Sequence, residues 1–173
     1  QDNIWFGTSI GLQMFDGENW VTYNTTNHPD MVSENIKVIR AMDNGDIWIG
    51  TDLGAGRFDG ATWTTFDTSN GLNHNKVLSI DEAENGVIWI GTQTGISYLD
   101  GTECSSIDSP HWSGVNVTIA ESTDSIWFGS PVGGISFYDG VDYTSYGISD
   151  GLLSDNTTDL LTDNDGNKWV GTG

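Results

Sequence analysis

The groups in this 173-residue sequence that could bind a metal, attack an electrophile or move a proton are few in kind. They are three histidines, His28, His74 and His111, one cysteine, Cys104, and 25 Asp plus Glu. A zinc site needs His and Cys at close, regular spacing, and none of the histidines forms such a pair. Asp163-Asn164-Asp165-Gly166-Asn167 resembles the opening of a calcium loop. The bidentate Glu that such a loop needs at its twelfth position would fall beyond Gly173, and equivalent turns such as Asp43-Asn44-Gly45-Asp46 read as plain hairpin turns. No Gly-x-x-x-x-Gly-Lys phosphate loop occurs. Pairs of carboxylates suited to glycoside chemistry arise by chance among so many acids. The sequence therefore gives no expectation of a catalytic residue, a metal or a cofactor. What remains is binding. His28, His74 and His111 fall in long polar segments, 24–34, 67–74 and 109–114, with a fourth such segment, 148–155, ending at Asp155. His111 is followed by Trp112, the one tryptophan off the repeat pattern described next. These five residues are the candidates for a ligand mouth. Trp112 has the face to stack on a sugar ring, and equally the bulk to plug a gap in an irregular repeat.

The elements that position these segments come from a five-residue phrase. Ile4-Trp5-Phe6-Gly7-Thr8 returns as Ile47-Trp48-Ile49-Gly50-Thr51, Ile88-Trp89-Ile90-Gly91-Thr92, Ile126-Trp127-Phe128-Gly129-Ser130 and, more weakly, Lys168-Trp169-Val170-Gly171-Thr172. The tryptophans stand 43, 41, 38 and 42 residues apart. A second landmark follows each of the first four: Phe15-Asp16-Gly17, Phe58-Asp59-Gly60, Leu99-Asp100-Gly101 and Tyr138-Asp139-Gly140. One apolar run precedes the phrase and two follow it, all rich in β-branched and aromatic residues and lacking a 3.6-residue period. Four short strands per period, joined by Asn-Gly and Asp-Gly turns in which both central residues take positive φ, make one antiparallel blade. Within the phrase, Ile47 and Ile49 point to one face and Trp48 to the other. Both faces are apolar, so a lone blade cannot stand in water, whereas a blade between two others buries both. Gly50 would let an aromatic ring from a neighbour approach the backbone. Repeats of this length that stack radially form a β-propeller. The phrase tryptophans, which could otherwise pass for a sugar-binding stripe, are then core residues. Cys104 aligns with Trp20, Trp63 and Tyr143 and is likewise a packing residue. The fold expected is all-β, a propeller of four-stranded antiparallel blades, with periods near 1–34, 35–75, 76–114, 115–156 and a partial 157–173.

Charge narrows the partners. Five Lys plus Arg against 25 acids give a net charge of −20. Nucleic acid and anionic membrane surfaces both require a basic face, so neither is expected. Part of the acidity is turn chemistry, because Asp recurs at the same loop position. No apolar run approaches the ~20 residues of a spanning helix. With one cysteine there is no intrachain disulfide, which leaves the redox compartment open. Asn24-Thr25-Thr26, Asn116-Val117-Thr118 and Asn156-Thr157-Thr158 fit the glycosylation pattern, which matters only in a eukaryotic secretory setting.

Asn70-Gly71-Leu72-Asn73-His74-Asn75-Lys76-Val77, followed by Ile80-Asp81, Gly86-Val87-Ile88-Trp89-Ile90-Gly91-Thr92 and Gly95-Ile96-Ser97-Tyr98-Leu99-Asp100, resembles the two-component regulator propeller repeat. Asp150-Gly151-Leu152-Leu153-Ser154-Asp155-Asn156 matches its opening segment well, Met31 to Asn35 loosely, and His111-Trp112-Ser113-Gly114 departs from it. The resemblance implies an extracytoplasmic module, periplasmic or extracellular. In such proteins the propeller often precedes a membrane helix and a histidine kinase, and some members sense carbohydrate fragments. Neither a membrane helix nor a kinase motif is present in these residues.

The phrase-bearing strand occurs at both ends, so a closed ring would receive it twice. The sequence reads as a segment of a larger ring, or as an incomplete ring that chains complete by association. The functional expectation is a non-enzymatic module that senses or binds a carbohydrate or other small ligand. The alternatives are an assembly module that self-associates or packs on the rest of a longer chain, and a carbohydrate-active propeller enzyme.

Overall fold

The computed structural model describes residues 3–107, 113–122 and 124–173. They form five antiparallel sheets in chain order. Blade 1 is β1 (Ile4–Thr8), β2 (Gly11–Phe15) and β3 (Trp20–Tyr23). Blade 2 is β4 (Ile36–Ala41), β5 (Ile47–Thr51), β6 (Ala55–Phe58) and β7 (Trp63–Phe66). Blade 3 is β8 (Val77–Glu82), β9 (Ile88–Thr92), β10 (Ile96–Asp100) and β11 (Glu103–Ile107). Blade 4 is β12 (Val117–Ser122), β13 (Ser125–Ser130), β14 (Gly134–Tyr138) and β15 (Tyr143–Tyr146), and blade 5 is β16 (Thr157–Thr162) with β17 (Lys168–Thr172). Among the described residues blades 2, 3 and 4 have all four strands, blade 1 has the second to fourth and blade 5 the first two. The first strands β4, β8, β12 and β16 are neighbours in succession, as the inner strands of a propeller are.

The phrase is the second strand of every blade. Its first and third residues face the preceding blade and its tryptophan the following one. Ile47, Ile49, Phe58 and Trp63 of blade 2 pack with Leu12, Trp5 and Tyr23 of blade 1. Ile88, Ile90 and Leu99 of blade 3 pack with Trp48, Ala55 and Phe66 of blade 2, and Ile126 and Phe128 of blade 4 with Trp89 and Ile96 of blade 3. Trp48 and Trp89 are accordingly 3% and 1% exposed. The expectation that all five phrase tryptophans are core fails toward the ends. Trp5 and Trp127 are half-buried, and Trp169 is 62% exposed because no blade covers its face of β17. On the opposite end Ile4, Phe6 and Trp20 of blade 1 are exposed for the same reason.

Two details differ from expectation. The phrase glycine does face the next blade, but what it meets is aliphatic rather than aromatic. A Cβ on Gly50 would stand 2.6 Å from Val77 Cγ1, and one on Gly7 2.6 Å from Ile36 Cγ2. Ile36 and Val77, the branched residues that open β4 and β8, thus sit where a side chain of the previous blade would be. The hairpins also avoid the expected turn type, since among the described residues none other than glycine has positive φ. Between β4 and β5, Gly45 N donates to Met42 O and Met42 N to Asp46 O, with Gly45 alone at φ +89°. This is a type I turn followed by a left-handed glycine, the three-residue hairpin solution. The Asp of the second landmark closes its turn through its side chain. Asp59 Oδ1 accepts from the N–H groups of Ala61 and Thr62 at 2.9 and 2.7 Å, and Asp16 and Asp139 repeat the arrangement.

Replacing Gly50 by Ala is expected to cost about 1–3 kcal/mol through overpacking against the stiff Val77 side chain, read as a shift of the urea midpoint. The donors around Asp59, first Thr62 N–H and then Ala61 N–H and the Thr62 hydroxyl, hold its carboxyl down at about 2 from an ordinary 3.8. A depressed carboxyl stabilises the fold above its unfolded value and loses that effect as pH falls through its folded value. The melting-temperature difference between wild type and Asp59→Ala is thus expected to be full above pH 3.8 and to shrink as pH falls through about 2.

Candidate functional site

The antiparallel order sends the blade-to-blade loops to one end of the arc and the hairpins joining first to second and third to fourth strands to the other. The residues singled out from the sequence belong to the first end, where they brace the loops. His28 packs its ring against Tyr23 and Phe58, centroids 5.1 and 6.1 Å away. His74 Nδ1 accepts from Lys76 N–H, as Ser33 Oγ does from Asn35 and Ser154 Oγ from Asn156 in the other blades. Asp155 Oδ1 accepts from Ile148 N–H, repeating the bonds from Thr68 N–H to Asn75 and from Thr25 N–H to Glu34. The structure does not bring His28, His74 and Asp155 together into one pocket. His111 and Trp112 lie outside the described residues.

The opposite end holds a cleft of about 320 Å³ between blades 2 and 3. Blade 2 contributes Asn44, Asp46, Trp48 and Arg57, and blade 3 contributes Glu82, Ile88, Leu99 and Thr102. Its origin is a departure from the repeat. The residue opposite the phrase tryptophan on the third strand is Met14 in blade 1, Tyr98 in blade 3 and Phe137 in blade 4. In blade 2 it is Arg57, opposite Trp48. Tyr98 and Phe137 lie against their tryptophans at 5.2 and 4.8 Å and fill this space. Arg57 instead is drawn aside by Asp46, its Nε donating to Asp46 Oδ2 at 2.6 Å, while Trp48 stacks on Phe66. Asp46, the residue before the phrase, is also off pattern, since Asn3, Val87, Ser125 and Asn167 stand there in the other repeats.

Asp46 is 7% exposed and takes a further bond from Asn44 Nδ2 at 2.9 Å. Arg57 is fixed at Nε, and its terminal nitrogens have no hydrogen-bond partner among the described residues. Glu82 accepts from Asp43 N–H through Oε2, so the two hairpins that frame the cleft are joined and Oε1 remains for a ligand. Trp89 Nε1 donates across the next interface to Ser122 O. The counterpart Trp48 Nε1 has no acceptor among the described residues and borders the cleft. On the inner side of the same hairpins, Arg40 Nη2 lies 3.2 Å from Asp81 Oδ1 and Asp81 Oδ2 accepts from Ala120 N–H, tying blades 2, 3 and 4. Burial outweighs these partners and raises the Asp81 carboxyl above its ordinary value.

Other potential chemistry is muted. Burial pushes the Cys104 thiol up to about 11, away from the thiolate form. Among the described residues no group of three or more His, Cys, Asp and Glu could hold a metal. In the calcium-like turn, Asp163 is taken by Trp169 Nε1 and Asn167 Nδ2, which hold its carboxyl down at about 2. Neither residue of the Asp46–Arg57 pair was singled out from the sequence. The signal available was an arginine, one of only five Lys plus Arg, at a strand position that other repeats fill with Met, Tyr or Phe.

Blades of four antiparallel strands with successive inner strands define a β-propeller. Residues 71–94 match the model of the two component regulator propeller repeat. A sequence comparison with curated proteins finds no match. Among solved structures, the extracellular domain of a hybrid two component system protein from B. thetaiotaomicron superposes at TM-score 0.77 and 21% identity, over 98% of this chain and 24% of that one. PorZ, a surface component of the type-IX secretion system of Porphyromonas gingivalis, does so at 0.74 and 17%, over 98% and 29%. Streptogramin B lyase does so at 0.76 and 17%, over 97% and 58%. This chain spans between a quarter and three-fifths of the length of these proteins. At such identities they share the fold. No helix among the described residues is long and apolar enough to cross a membrane.

Arg57→Met alone leaves the Asp46 carboxylate buried with Asn44 only, and is expected to cost about 1–3 kcal/mol. The double change D46N/R57M installs the pair that blade 1 carries, Asn3 and Met14, and is expected to recover most of that loss. Urea unfolding of the two single variants and the double variant measures the coupling.

Proposed function

We propose that this chain is a non-enzymatic, sensor-like propeller module that works outside the cytoplasm and binds a small ligand in the cleft between blades 2 and 3. The observation that carries the reading is the Asp46–Arg57 pair. Blades 1, 3 and 4 put Met14, Tyr98 and Phe137 opposite the phrase tryptophan, whereas blade 2 gives up that packing for a charged group beside an open cavity. Polar groups converging on a partly apolar cleft are the usual composition of a ligand site. The extracellular setting of the B. thetaiotaomicron domain and the surface location of PorZ support a place outside the cytoplasm. The lyase neighbour brings the fold alone. The muted Cys104 and the mutual neutralisation of Asp46 and Arg57 favour binding over turnover.

A thermal-shift screen of a small-metabolite library tests this. Compounds are expected to raise the melting temperature of the wild type and to lose that effect in D46N/R57M, whose fold is retained. Stabilising compounds that act equally on both proteins would place binding elsewhere and refute the cleft.

A further inference from the structure

We infer that the cleft selects a small zwitterion with an apolar tail, of the α-amino acid kind, its carboxylate on Arg57 and its ammonium on Glu82; this rests on the cleft being the binding site. Three features of the cleft lead to that class.

The first is charge. Arg57 is anchored through Nε by Asp46, which leaves the end of the guanidinium for a two-point contact with a carboxylate. Glu82, on the facing blade, has one oxygen committed to Asp43 N–H and the other available for an ammonium. A ligand with a single negative charge would meet one cation already shared with Asp46, and Glu82 besides. A phosphate would fare worse. A ligand that carries both signs satisfies both walls and leaves no charge of the cleft opposed.

The second is the apolar lining. Ile88 and Leu99, 7% and 3% exposed, contribute apolar atoms to the lining, which suits an aliphatic or thioether side chain. The one aromatic residue among the described lining residues, Trp48, is stacked on Phe66, which covers one of its ring faces against a sugar. The third is size and access. The volume of about 320 Å³ equals on the order of ten water molecules, which accommodates an amino acid. Gly86 and Gly101, both at positive φ, stand at its border, where a Cβ on either would meet nothing within 4 Å.

Titration calorimetry on the full chain tests the assignment with L-leucine and L-methionine. 4-Methylpentanoate, which lacks the ammonium, 3-methylbutylamine, which lacks the carboxylate, and glucose serve as comparisons. Both amino acids are expected to bind, and each one-charge analogue to bind at least about tenfold more weakly, the equivalent of 1.4 kcal/mol. Glu82→Gln is expected to weaken leucine and to strengthen 4-methylpentanoate, which no longer meets the Glu82 charge, a split that a merely destabilised cleft would not give. D46N/R57M is expected to weaken both. Glucose binding that D46N/R57M abolishes, with no amino acid binding, would overturn the ligand class and leave the cleft as the site. Leucine binding that is equal in wild type and D46N/R57M would overturn both. Absence of saturable binding by both amino acids would overturn the class.

Discussion

The closeness of neighbouring blades at the phrase glycine is the constraint on which the rest of this structure depends. At Gly7, Gly50, Gly91 and Gly129 the next blade's inner strand, or the residue leading into it, occupies the volume that a Cβ would need. That approach sets the distance between blades, and the distance decides what can lie between them. Close to the axis only branched aliphatic residues and Thr fit. Farther out the gap widens, and the phrase tryptophan fills it together with the large residue before each Asp-Gly. The pairings Trp5–Phe58 and Trp89–Tyr138, both with centroids 6.4 Å apart, are successive instances of that contact. The Thr of the phrase serves the same geometry from the loop side. Thr51 Oγ1 and Thr92 Oγ1, both buried, donate to Gly54 O and Gly95 O and close the turn that brings the third strand back.

Because the blades are built on one plan, each is a control for the others. His74 illustrates this. Taken alone, a histidine in a loop invites a functional reading, but its Nδ1 does what a serine hydroxyl does in blades 1 and 4. The same comparison works in the opposite direction for Arg57. Its neighbours in the repeat alignment are Met14, Tyr98 and Phe137, whose packing needs no counter-charge. Lys168, which replaces the first isoleucine of the phrase, is an intermediate case. Its amine pairs with Glu121 and stands 6.0 Å from the centre of the Trp127 ring, so its stem still covers the tryptophan that an isoleucine would cover. That substitution keeps the packing role and adds an ion pair, whereas Arg57 abandons the role.

Most of the fold was legible in the sequence because it rests on period. The tryptophan spacing, the two landmarks and the alternation of apolar residues within Ile47-Trp48-Ile49 define the strands, their order and the face each residue takes. What was not legible depends on neighbours in space. The phrase glycine was correctly read as a point of close approach, but the group approaching it, Val77 or Ile36, lies about thirty residues on and is identified only once the blades are stacked. The turn type was misjudged because Asn-Gly pairs occur both in two-residue hairpins and in the longer solution seen at Gly45. The candidate site was missed for a different reason. Sequence reasoning favoured loops and histidines, and the cleft is made by a strand residue whose meaning is a subtraction: the aromatic ring that is not there.

That subtraction bears on why the pair exists. Ion pairs removed from water lose hydration that their attraction does not always return, and replacing them by well-packed apolar residues is often neutral or stabilising. This protein contains the replacement within itself. Val87 with Tyr98 in blade 3 and Ser125 with Phe137 in blade 4 occupy the positions of Asp46 with Arg57, on the same backbone and against the same tryptophan. If packing alone governed the position, blade 2 has no physical reason to depart from those solutions. Asp46 and Arg57 also depart together, with Asn44 Nδ2 donating to the same carboxylate oxygen as Arg57 Nε, so the arrangement is matched rather than a single misplaced charge. A feature that forgoes packing, opens a cavity and holds one end of a guanidinium still while leaving the other end toward that cavity has the form of a preorganised recognition group. Its placement on two adjacent strands, β5 with its preceding turn and β6, gives it the rigidity of the blade rather than that of a loop.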